Sequence, residues 1–278
     1  MIGSFVIAGF IDEIDPDPAI AVAAAKEMGL DAVDLRNAWG INVTELTAEQ
    51  LAEYRKIVVA HGLRVNSVGS PVNKVVLGEH ADLRAELNKL ERSCDAAKAV
   101  GTHDVRIFSP EVPGDLDAGW PRVRAWMTPF LQVAARYGVR LLHENDANFF
   151  GSTPEGSQLL VGALGGPGFQ CVFDFMNATW RGSKPMDDWM PWIVPHLASL
   201  HIKDYCLKEQ RVVPAGEGDG QILESLRYLI AQGWNGPLSL EPHLTQAGPM
   251  GGFSGSERFG IAVTALRSVL EKSMETSK

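Results

Sequence analysis

The 278-residue chain carries 25 basic and 34 acidic side chains, and its net charge of −9 argues against nucleic-acid binding, which usually uses a basic face. Its hydrophobic fraction of 45% suits a large core, and α/β barrels of this length are commonly single domains. The three cysteines, Cys94, Cys171 and Cys206, form no CxxC pair, which predicts a protein without disulfides or structural zinc. The sequence shows no signal-peptide pattern and no apolar run of membrane-spanning length, so we expect a soluble, cytoplasmic protein without membrane contact.

Strand-like and helix-like segments alternate eight times along the chain. Strands are predicted at 4–14, 31–40, 63–72, 104–110, 140–146, 170–178, 198–205 and 237–243. Helices are predicted at 16–30, 47–61, 80–100, 120–137, 154–164, 185–196, 221–232 and 257–271, with Thr47 as an N-cap and with ends at Gly29, Gly101 and Gly138.

Eight strand–helix pairs in this length predict a single-domain (β/α)₈ TIM barrel over residues 1–278, in which only the tail after about residue 273 is peripheral. The alternative is an open, doubly wound sheet. No glycine-rich phosphate-binding motif follows the first predicted strand, so the barrel is favoured.

Four acidic or imidazole side chains lie near the ends of four successive predicted strands, and they are Glu144, Asp174, His201 and Glu241. Parallel strands bring such positions to the same end of a barrel, where the active sites of this fold lie. Buried charges must be paired or bound to a metal. Three carboxylates and one imidazole suit one divalent ion, Mn²⁺, Mg²⁺ or Co²⁺, with Zn²⁺ as a further candidate.

Several motifs resemble those of the xylose isomerase-like sugar isomerase/epimerase superfamily, namely FIDEIDPD, HEN, FDFMNA, HIKD, VPAGEGDG, LSLEPH and GGFSG. The resemblance spans essentially the whole chain, and it implies that Glu144, Asp174, His201 and Glu241 hold one divalent ion. The endonuclease IV branch of these barrels requires extra histidines for a three-metal cluster. Predicted strands 2 to 4 offer none, which disfavours that branch.

The resemblance further implies isomerisation or epimerisation of a small keto- or aldo-sugar, by proton transfer through an enediolate with the ion as Lewis acid. In the related ketose 3-epimerases, two glutamates exchange protons on opposite faces of the substrate, so Glu144 and Glu241 are the expected acid/base residues. Strand alternation turns Lys203 to the same face as His201. There its ammonium group either stabilises an oxyanion or pairs with Asp174 or Asp204. Barrels of this family commonly form dimers or tetramers, so we expect a homo-oligomer.

Two positions depart from the 3-epimerase pattern. Asn177 stands where many of these enzymes have a histidine, and an asparagine can hydrogen-bond to substrate but cannot exchange protons. Arg211 is the nearest counterpart of a substrate-binding arginine before the G-E-G turn, at a longer separation from His201. A metal-dependent dehydratase or lyase acting on a keto-sugar or keto-inositol is therefore the main alternative, since it begins with the same proton abstraction. A non-catalytic sugar-binding barrel is the second alternative. The presence of both Glu144 and Glu241 argues against it, because binding alone would not need a glutamate on each side of the metal.

Other polar residues near the predicted strand ends have two interpretations. His243 follows Glu241 by two residues and shares its direction, so we expect it to contact substrate. His143 should face the opposite side of its strand and be buried. Glu217, in the G-E-G turn, either binds a substrate hydroxyl or orients its loop.

Two arginines and three aromatic residues complete the set of candidates. Arg36 and Arg106 either bind a substrate carboxylate or phosphate, or form ion pairs at the barrel rim. Trp39, Trp180 and Phe253 either line the pocket against the apolar faces of a sugar or pack in the core.

Overall fold

A computed structural model describes residues 5–146, 148–248 and 251–275. Its central element is a barrel of eight parallel strands, which are β1 (Ile7–Gly9), β2 (Ala32–Leu35), β3 (Arg64–Gly69), β4 (Asp104–Ile107), β5 (Arg140–Glu144), β6 (Phe169–Asp174), β7 (Leu197–Ile202) and β8 (Leu238–Leu240). They are hydrogen-bonded in the order β1-β8-β7-β6-β5-β4-β3-β2. A parallel bridge between Phe10 and Asp34 joins the two ends of this series. The predicted (β/α)₈ TIM barrel is confirmed.

The strands alternate with helices that surround the barrel. The α-helices are α1 (Pro18–Glu27), α2 (Ala48–Ala60), α3 (Leu83–Val100), α4 (Leu116–Tyr137), α5 (Pro154–Leu164), α6 (Phe175–Trp180), α7 (Met190–Ile193), α8 (Ile222–Ala231) and α9 (Gly255–Glu275). Shorter 3₁₀ turns lie at Ile11–Glu13, Val43–Glu45, Phe150–Ser152 and Val194–His196, and a π-helical turn lies at Pro185–Trp189. No helix within the described ranges combines the length and apolar character needed to cross a membrane.

Capping residues set the helix boundaries. The Thr47 side chain accepts a hydrogen bond from the Gln50 backbone while the Gln50 side chain accepts one from the Thr47 backbone, a capping box that confirms the predicted start of α2. Gly101 and Gly138 end α3 and α4 with φ of 85° and 66°, in the left-handed region that glycine adopts without strain.

The observed elements differ from the predicted ones where the chain turns within an apolar run. The first strand ends at Gly9 and a 3₁₀ turn follows, while Ser4, at the predicted start, lies outside the described residues. The sixth strand ends at Asp174, because its side chain caps α6 by accepting a hydrogen bond from the Asn177 backbone. The helix predicted at 185–196 is three short turns, since its prolines cannot donate helical hydrogen bonds.

The C-terminal helix is longer than predicted. α9 runs to Glu275, and the buried Ser273 hydroxyl donates to the Leu270 carbonyl at 2.7 Å. Residues 276–278 of the predicted peripheral tail lie outside the described residues.

Three antiparallel hairpins follow β2, β7 and β8. They pair Asn37–Ala38 with Ile41–Asn42, Asp204–Cys206 with Arg211–Val213, and Gln246–Gly248 with Gly251–Phe253. They extend the carboxyl end of the barrel, where the active sites of this fold lie.

The loop after the second hairpin is held by one buried carboxylate. Asp204 Oδ1 accepts backbone hydrogen bonds from Tyr205 and Gly220 at 2.8 and 2.9 Å, and its Oδ2 accepts them from Gly216 and Gly218 at 2.9 and 3.1 Å. An added Cβ at Gly218 would lie 2.4 Å from Asp204 Oδ1, so this turn needs glycine for close approach to the carboxylate.

Candidate active site

The barrel brings the four predicted ligands together. Glu144 and Asp174 are the last residues of β5 and β6, His201 is in β7 and Glu241 directly follows β8. The parallel register places Asp174 beside His201. Each of the four offers an oxygen or nitrogen atom within 4.8 Å of those from the other three, and all four side chains are buried. Ligands about 2.1 Å from a shared ion lie at most roughly 4.2 Å apart, so small side-chain movements would complete a coordination shell.

Two of the proposed ligands carry atoms without a hydrogen bond. Among the described residues, neither Asp174 Oδ2 nor His201 Nδ1 makes a hydrogen bond of acceptable angle, although both are buried and lie 3.0 Å from Lys203 Nζ and 3.2 Å from Glu144 Oε1, respectively. Buried polar atoms are normally hydrogen-bonded, so both atoms keep capacity to coordinate an ion. Asp174 Oδ1 instead caps α6, which turns Oδ2 towards the other ligands. The donor set therefore fits a divalent cation.

Lys203 lies among the ligands and carries a positive charge. Its Nζ is 3.0 Å from both Asp174 Oδ2 and Glu241 Oε2. Burial opposes the charged form, but the neighbouring carboxylates outweigh it and raise the pKa of Lys203. The ion pair with Asp174 is thus one of the two arrangements expected from the sequence, whereas Asp204 binds the following loop.

Each of the two predicted acid/base glutamates contacts an arginine. Arg106 Nη1 lies 3.3 Å from Glu144 Oε2, and Arg36 Nη1 donates to Glu241 Oε1 at 2.7 Å. Burial would raise the pKa of Glu144, but the charges on His201 and Arg106 outweigh it and lower the pKa to about 2. Lys203, His243 and Arg36 likewise bring the pKa of Glu241 well below its usual value against the effect of burial. Both groups are therefore carboxylates.

Asp174 behaves differently from the two glutamates. Burial raises its pKa to about 6, although the Lys203 ammonium lowers it. For His201, burial opposes protonation, but the adjacent Glu144 and Glu241 outweigh that and raise the imidazole pKa. His201 Nδ1 lies 3.2 Å from Glu144 Oε1 and 3.5 Å from Glu241 Oε2, so it contacts both glutamates.

His243 is held next to Glu241 by a residue from the other end of the chain. Its Nε2 lies 3.3 Å from Glu241 Oε1 and 3.2 Å from Glu13 Oε1, and its backbone N–H donates to Glu13 Oε2 at 2.8 Å. The φ of His243 is +46°, an uncommon left-handed conformation for a residue other than glycine. The sequence places Glu13 at the end of the first strand but gives no signal that it contacts a residue 230 positions away.

Glu144 and Glu241 line a cavity of about 460 Å³, a volume suited to a small sugar. The other candidate residues that line it are Arg36, Arg106, Asn177, Lys203 and His243, and of the candidate aromatic residues Trp180. Further lining residues that the sequence did not single out include Asn42, Lys74, Glu111, Asp146, Phe149 and Met176. Asn42 lies in the first hairpin and Met176 in α6, and the other four lie in loops; no periodicity or spacing marks any of them in the sequence.

Several candidates lie elsewhere. Arg211 is exposed and pairs with Glu209 at 2.5 Å, and Glu217 is an exposed residue of the loop that Asp204 holds; neither lines the cavity. Trp39 packs against the hydrophobic core, and Phe253, which is 38% exposed, also lies outside the cavity lining.

His143 is buried as predicted and faces away from the ligands. Its Nε2 lies 3.0 Å from Ser109 Oγ, and its ring stacks on Phe169. Burial lowers its pKa to about 4, so the imidazole is neutral. Gly151 is required beside it, because an added Cβ would lie 2.2 Å from the His143 ring.

Residues 22–262 match the model of the xylose isomerase-like TIM barrel family. The 3-keto-D-glucoside 4-epimerase from E. coli has a TM-score of 0.71 at 17% identity, covering 96% of this chain and 99% of that chain. The probable 3-DHS dehydratase from Bacillus anthracis has a TM-score of 0.70 at 16% identity, with coverages of 88% and 92%. A xylose isomerase-like TIM barrel protein from Mycobacterium smegmatis, in complex with magnesium, has a TM-score of 0.70 at 16% identity, with coverages of 98% and 97%. No curated protein sequence matches the chain. At these identities the structural likeness establishes the fold.

Proposed function

Since the chain belongs to the xylose isomerase-like TIM barrel family, we propose that it is a divalent-metal-dependent isomerase or epimerase of a small keto- or aldo-sugar. One observation carries this proposal: Glu144, Asp174, His201 and Glu241 converge on one buried point that opens into a sugar-sized cavity. These four side chains would hold one ion, for which Mn²⁺, Mg²⁺ and Co²⁺ are the candidates and Zn²⁺ a further one. A bound ion would supply Lewis acidity towards neighbouring hydroxyl and carbonyl oxygens of the sugar.

Proton transfer is assigned to the two glutamates. Both are carboxylates at neutral pH, the form that accepts a proton from the carbon beside a carbonyl. A carboxylate oxygen of each lies within 3.5 Å of His201 Nδ1. In the proposed reaction one glutamate removes the proton and the other returns one to the opposite face, which inverts the carbon. Return to the neighbouring carbon would instead exchange aldose and ketose.

The other residues of the cavity bind and orient the substrate. Lys203 keeps its proton because its pKa is raised, so its Nζ can donate to the oxygen on which negative charge develops. Asn177 Nδ2 lies 3.5 Å from Glu144 Oε1 and is placed to hydrogen-bond a substrate hydroxyl. Trp180, which is 48% exposed, supplies an aromatic wall at the mouth.

A dehydratase or lyase is the second candidate. Asn177 cannot supply a proton, whereas the Lys203 ammonium, 3.0 Å from Glu241 Oε2, could protonate a departing hydroxyl after Glu241 or Glu144 removes the carbon-bound proton. The structural likeness to a probable 3-DHS dehydratase is compatible with this chemistry.

Deuterium exchange separates the two candidates. The metal-loaded protein is incubated in D₂O with a panel of neutral and acidic keto-sugars, and the products are followed by NMR and mass spectrometry. Deuterium at the carbon beside the carbonyl, with no loss of water, is the result expected for an isomerase or epimerase. A product lighter by one water would identify the dehydratase. No exchange and no product with any member of the panel would contradict both.

The proposed quaternary structure is a dimer or tetramer. Multi-angle light scattering measures it, and a monomer at micromolar concentration would contradict it.

A further inference from the structure

The two arginines at the carboxyl end of the barrel have different surroundings. Arg36 contacts three carboxylates: its Nε donates to Asp12 at 2.9 Å, its Nη1 donates to Glu241 at 2.7 Å, and its Nη2 lies 3.6 Å from Glu13. This guanidinium is committed to carboxylates of the protein. Arg106, in β4, contacts one carboxylate, that of Glu144.

Arg106 presents a buried guanidinium with unused hydrogen-bonding capacity. It is 4% exposed, its Nη1 lies 3.3 Å from Glu144 Oε2, and its Nε has no hydrogen-bond partner within the described ranges. Its Cζ lies 4.4 Å from the ring centroid of Phe108 and 5.8 Å from that of Phe10. These aromatic contacts fix the group without using its N–H donors.

A glycine in β3 lets this guanidinium and the Phe10 ring pack closely against the backbone. An added Cβ at Gly69 would lie 3.1 Å from Arg106 Nη2 and 2.5 Å from the Phe10 ring. Gly69 and Arg106 both line the cavity, as do Glu144 and Glu241 of the four proposed ligands. A ligand group in the cavity can therefore reach the Arg106 guanidinium, which a larger residue at position 69 would displace.

The wall around Arg106 contains a second cation. Lys74 Nζ lies 4.3 Å from the centroid of the same Phe108 ring and also lines the cavity, and it pairs with Asp146 at 2.8 Å. This side of the cavity, between the loop after β3 and the end of β4, thus holds two cations, each beside a carboxylate, Asp146 for Lys74 and Glu144 for Arg106. It lies beside Glu144, one of the proposed ligands.

Metal binding would increase the need for an anion at this position. Glu144 is the carboxylate next to Arg106, and as a metal ligand it would share its charge with the ion. A buried guanidinium whose counter-ion is shared in this way favours another negative group. A carboxylate fits the planar donor fork of arginine better than a neutral hydroxyl does.

We propose that the substrate carries a carboxylate and that Arg106 binds it. This inference deepens the proposed function and rests on it, since it assigns the sugar of the isomerase or epimerase reaction to the sugar acids. Arg106 contacts a proposed metal ligand, so the carboxylate must lie close to the reacting carbons. That position suits a carboxylate that is part of the carbon chain, such as that of a keto-aldonic acid, better than a phosphate ester on the far hydroxyl.

Two probes that differ at one group test this assignment. D-Gluconate and D-glucitol have the same carbon chain, with a carboxylate replacing a hydroxymethyl group. Their dissociation constants with the Mn²⁺-loaded protein are measured by isothermal titration calorimetry, with D-glucitol 6-phosphate as a third ligand. We expect gluconate to bind about tenfold to a hundredfold more tightly than glucitol and more tightly than the phosphate.

The variant Arg106→Gln separates binding by arginine from direct ligation of the ion by the carboxylate. It should lose most of the preference for gluconate while binding glucitol within about twofold of wild type. The control Arg136→Gln removes an exposed arginine that pairs with Glu91 on the outside of the barrel, and it should keep the full preference. If Arg106→Gln does not fold, Arg106→Lys, which keeps the charge but loses the fork, should show a reduced preference.

Three outcomes would overturn the assignment: equal binding of gluconate and glucitol, a preference that Arg106→Gln leaves intact, or tighter binding of the phosphate than of gluconate. Failure of the proposed function is distinguishable, because Mn²⁺ uptake is measured before any sugar is added. In a protein that takes up no Mn²⁺, the comparison of wild type with Arg106→Gln still tests the carboxylate site.

Discussion

Replacing Lys203 by methionine should lower the free energy of unfolding of the metal-free protein and also lower the Kd for Mn²⁺. Lys203 Nζ lies 3.0 Å from Asp174 Oδ2 and from Glu241 Oε2, so it holds a positive charge between two of the four proposed ligands. Removing one partner of a buried ion pair costs about 3–5 kcal/mol. We expect the free energy of unfolding of the metal-free protein to fall by that amount at pH 8, where Asp174 of the wild type is ionised because burial raises its pKa only to about 6 while Lys203 is present.

A divalent ion would supply the charge that the variant lacks. If the ion restores half of the lost stability, about 1.5–2.5 kcal/mol reappears as metal affinity. That range corresponds to a roughly tenfold to seventyfold smaller Kd for Mn²⁺ in Lys203→Met than in wild type.

Urea unfolding in EDTA and in saturating Mn²⁺, followed by circular dichroism, gives the two stabilities, and calorimetric titration gives the Kd. Lys208→Met, at an exposed position five residues along the chain, is the matched control and should change neither quantity. A folded Lys203→Met protein that binds Mn²⁺ no more tightly than wild type would refute the view that the ammonium group and the ion compete for the same carboxylates.

Three further predictions concern catalysis, stability and pH. Glu144→Gln and Glu241→Gln should each lower kcat by about 10²–10⁴-fold or more, because an amide cannot accept the proton. The control Glu224→Gln, on the surface of α8, should leave kcat unchanged. A kcat within threefold of wild type in steady-state kinetics would exclude that glutamate from proton transfer. Asp204→Asn should lower the free energy of unfolding by about 3–6 kcal/mol, because two backbone N–H groups would face an amide NH₂ instead of an oxygen; a loss below about 1 kcal/mol in urea denaturation contradicts this. The affinity for Mn²⁺ should rise with pH through neutrality, because an imidazole coordinates a metal only in its neutral form. Glu144 raises the pKa of His201 against the effect of burial, so His201 must lose its proton before it can bind the ion. An affinity that is constant from pH 6 to 8 would be inconsistent with His201 as a ligand.

The four proposed ligands could be found from the sequence because parallel strands carry their carboxyl ends to one side of a barrel. Asp174 and His201 are register partners on adjacent strands, so counting positions along each apolar run was sufficient to place them together. The same reasoning predicted that His143 faces away, since neighbouring residues of a strand alternate sides.

Loop residues were less predictable because their positions depend on contacts between distant segments. Arg211 follows the family motif in order along the chain, yet the hairpin that carries it turns its side chain to solvent. Conversely, Glu13 reaches His243 through a left-handed backbone conformation that no local pattern indicates. Arg36 and Arg106 have the same two interpretations in the sequence, and only the packing shows that Arg36 contacts three carboxylates whereas Arg106 contacts one and has an Nε without a hydrogen bond within the described ranges.

Titration of the EDTA-treated protein with Mn²⁺, followed by the EPR signal of the free ion, tests the proposed metal centre most directly. We predict one tightly bound ion per chain in wild type and in Asp187→Asn, which alters an exposed carboxylate. Asp174→Asn should weaken binding by at least about tenfold, the lower limit expected when a supporting group of a metal site is lost. Absence of stoichiometric binding in wild type, or unchanged binding in Asp174→Asn, would contradict the assignment of Glu144, Asp174, His201 and Glu241 as the metal ligands.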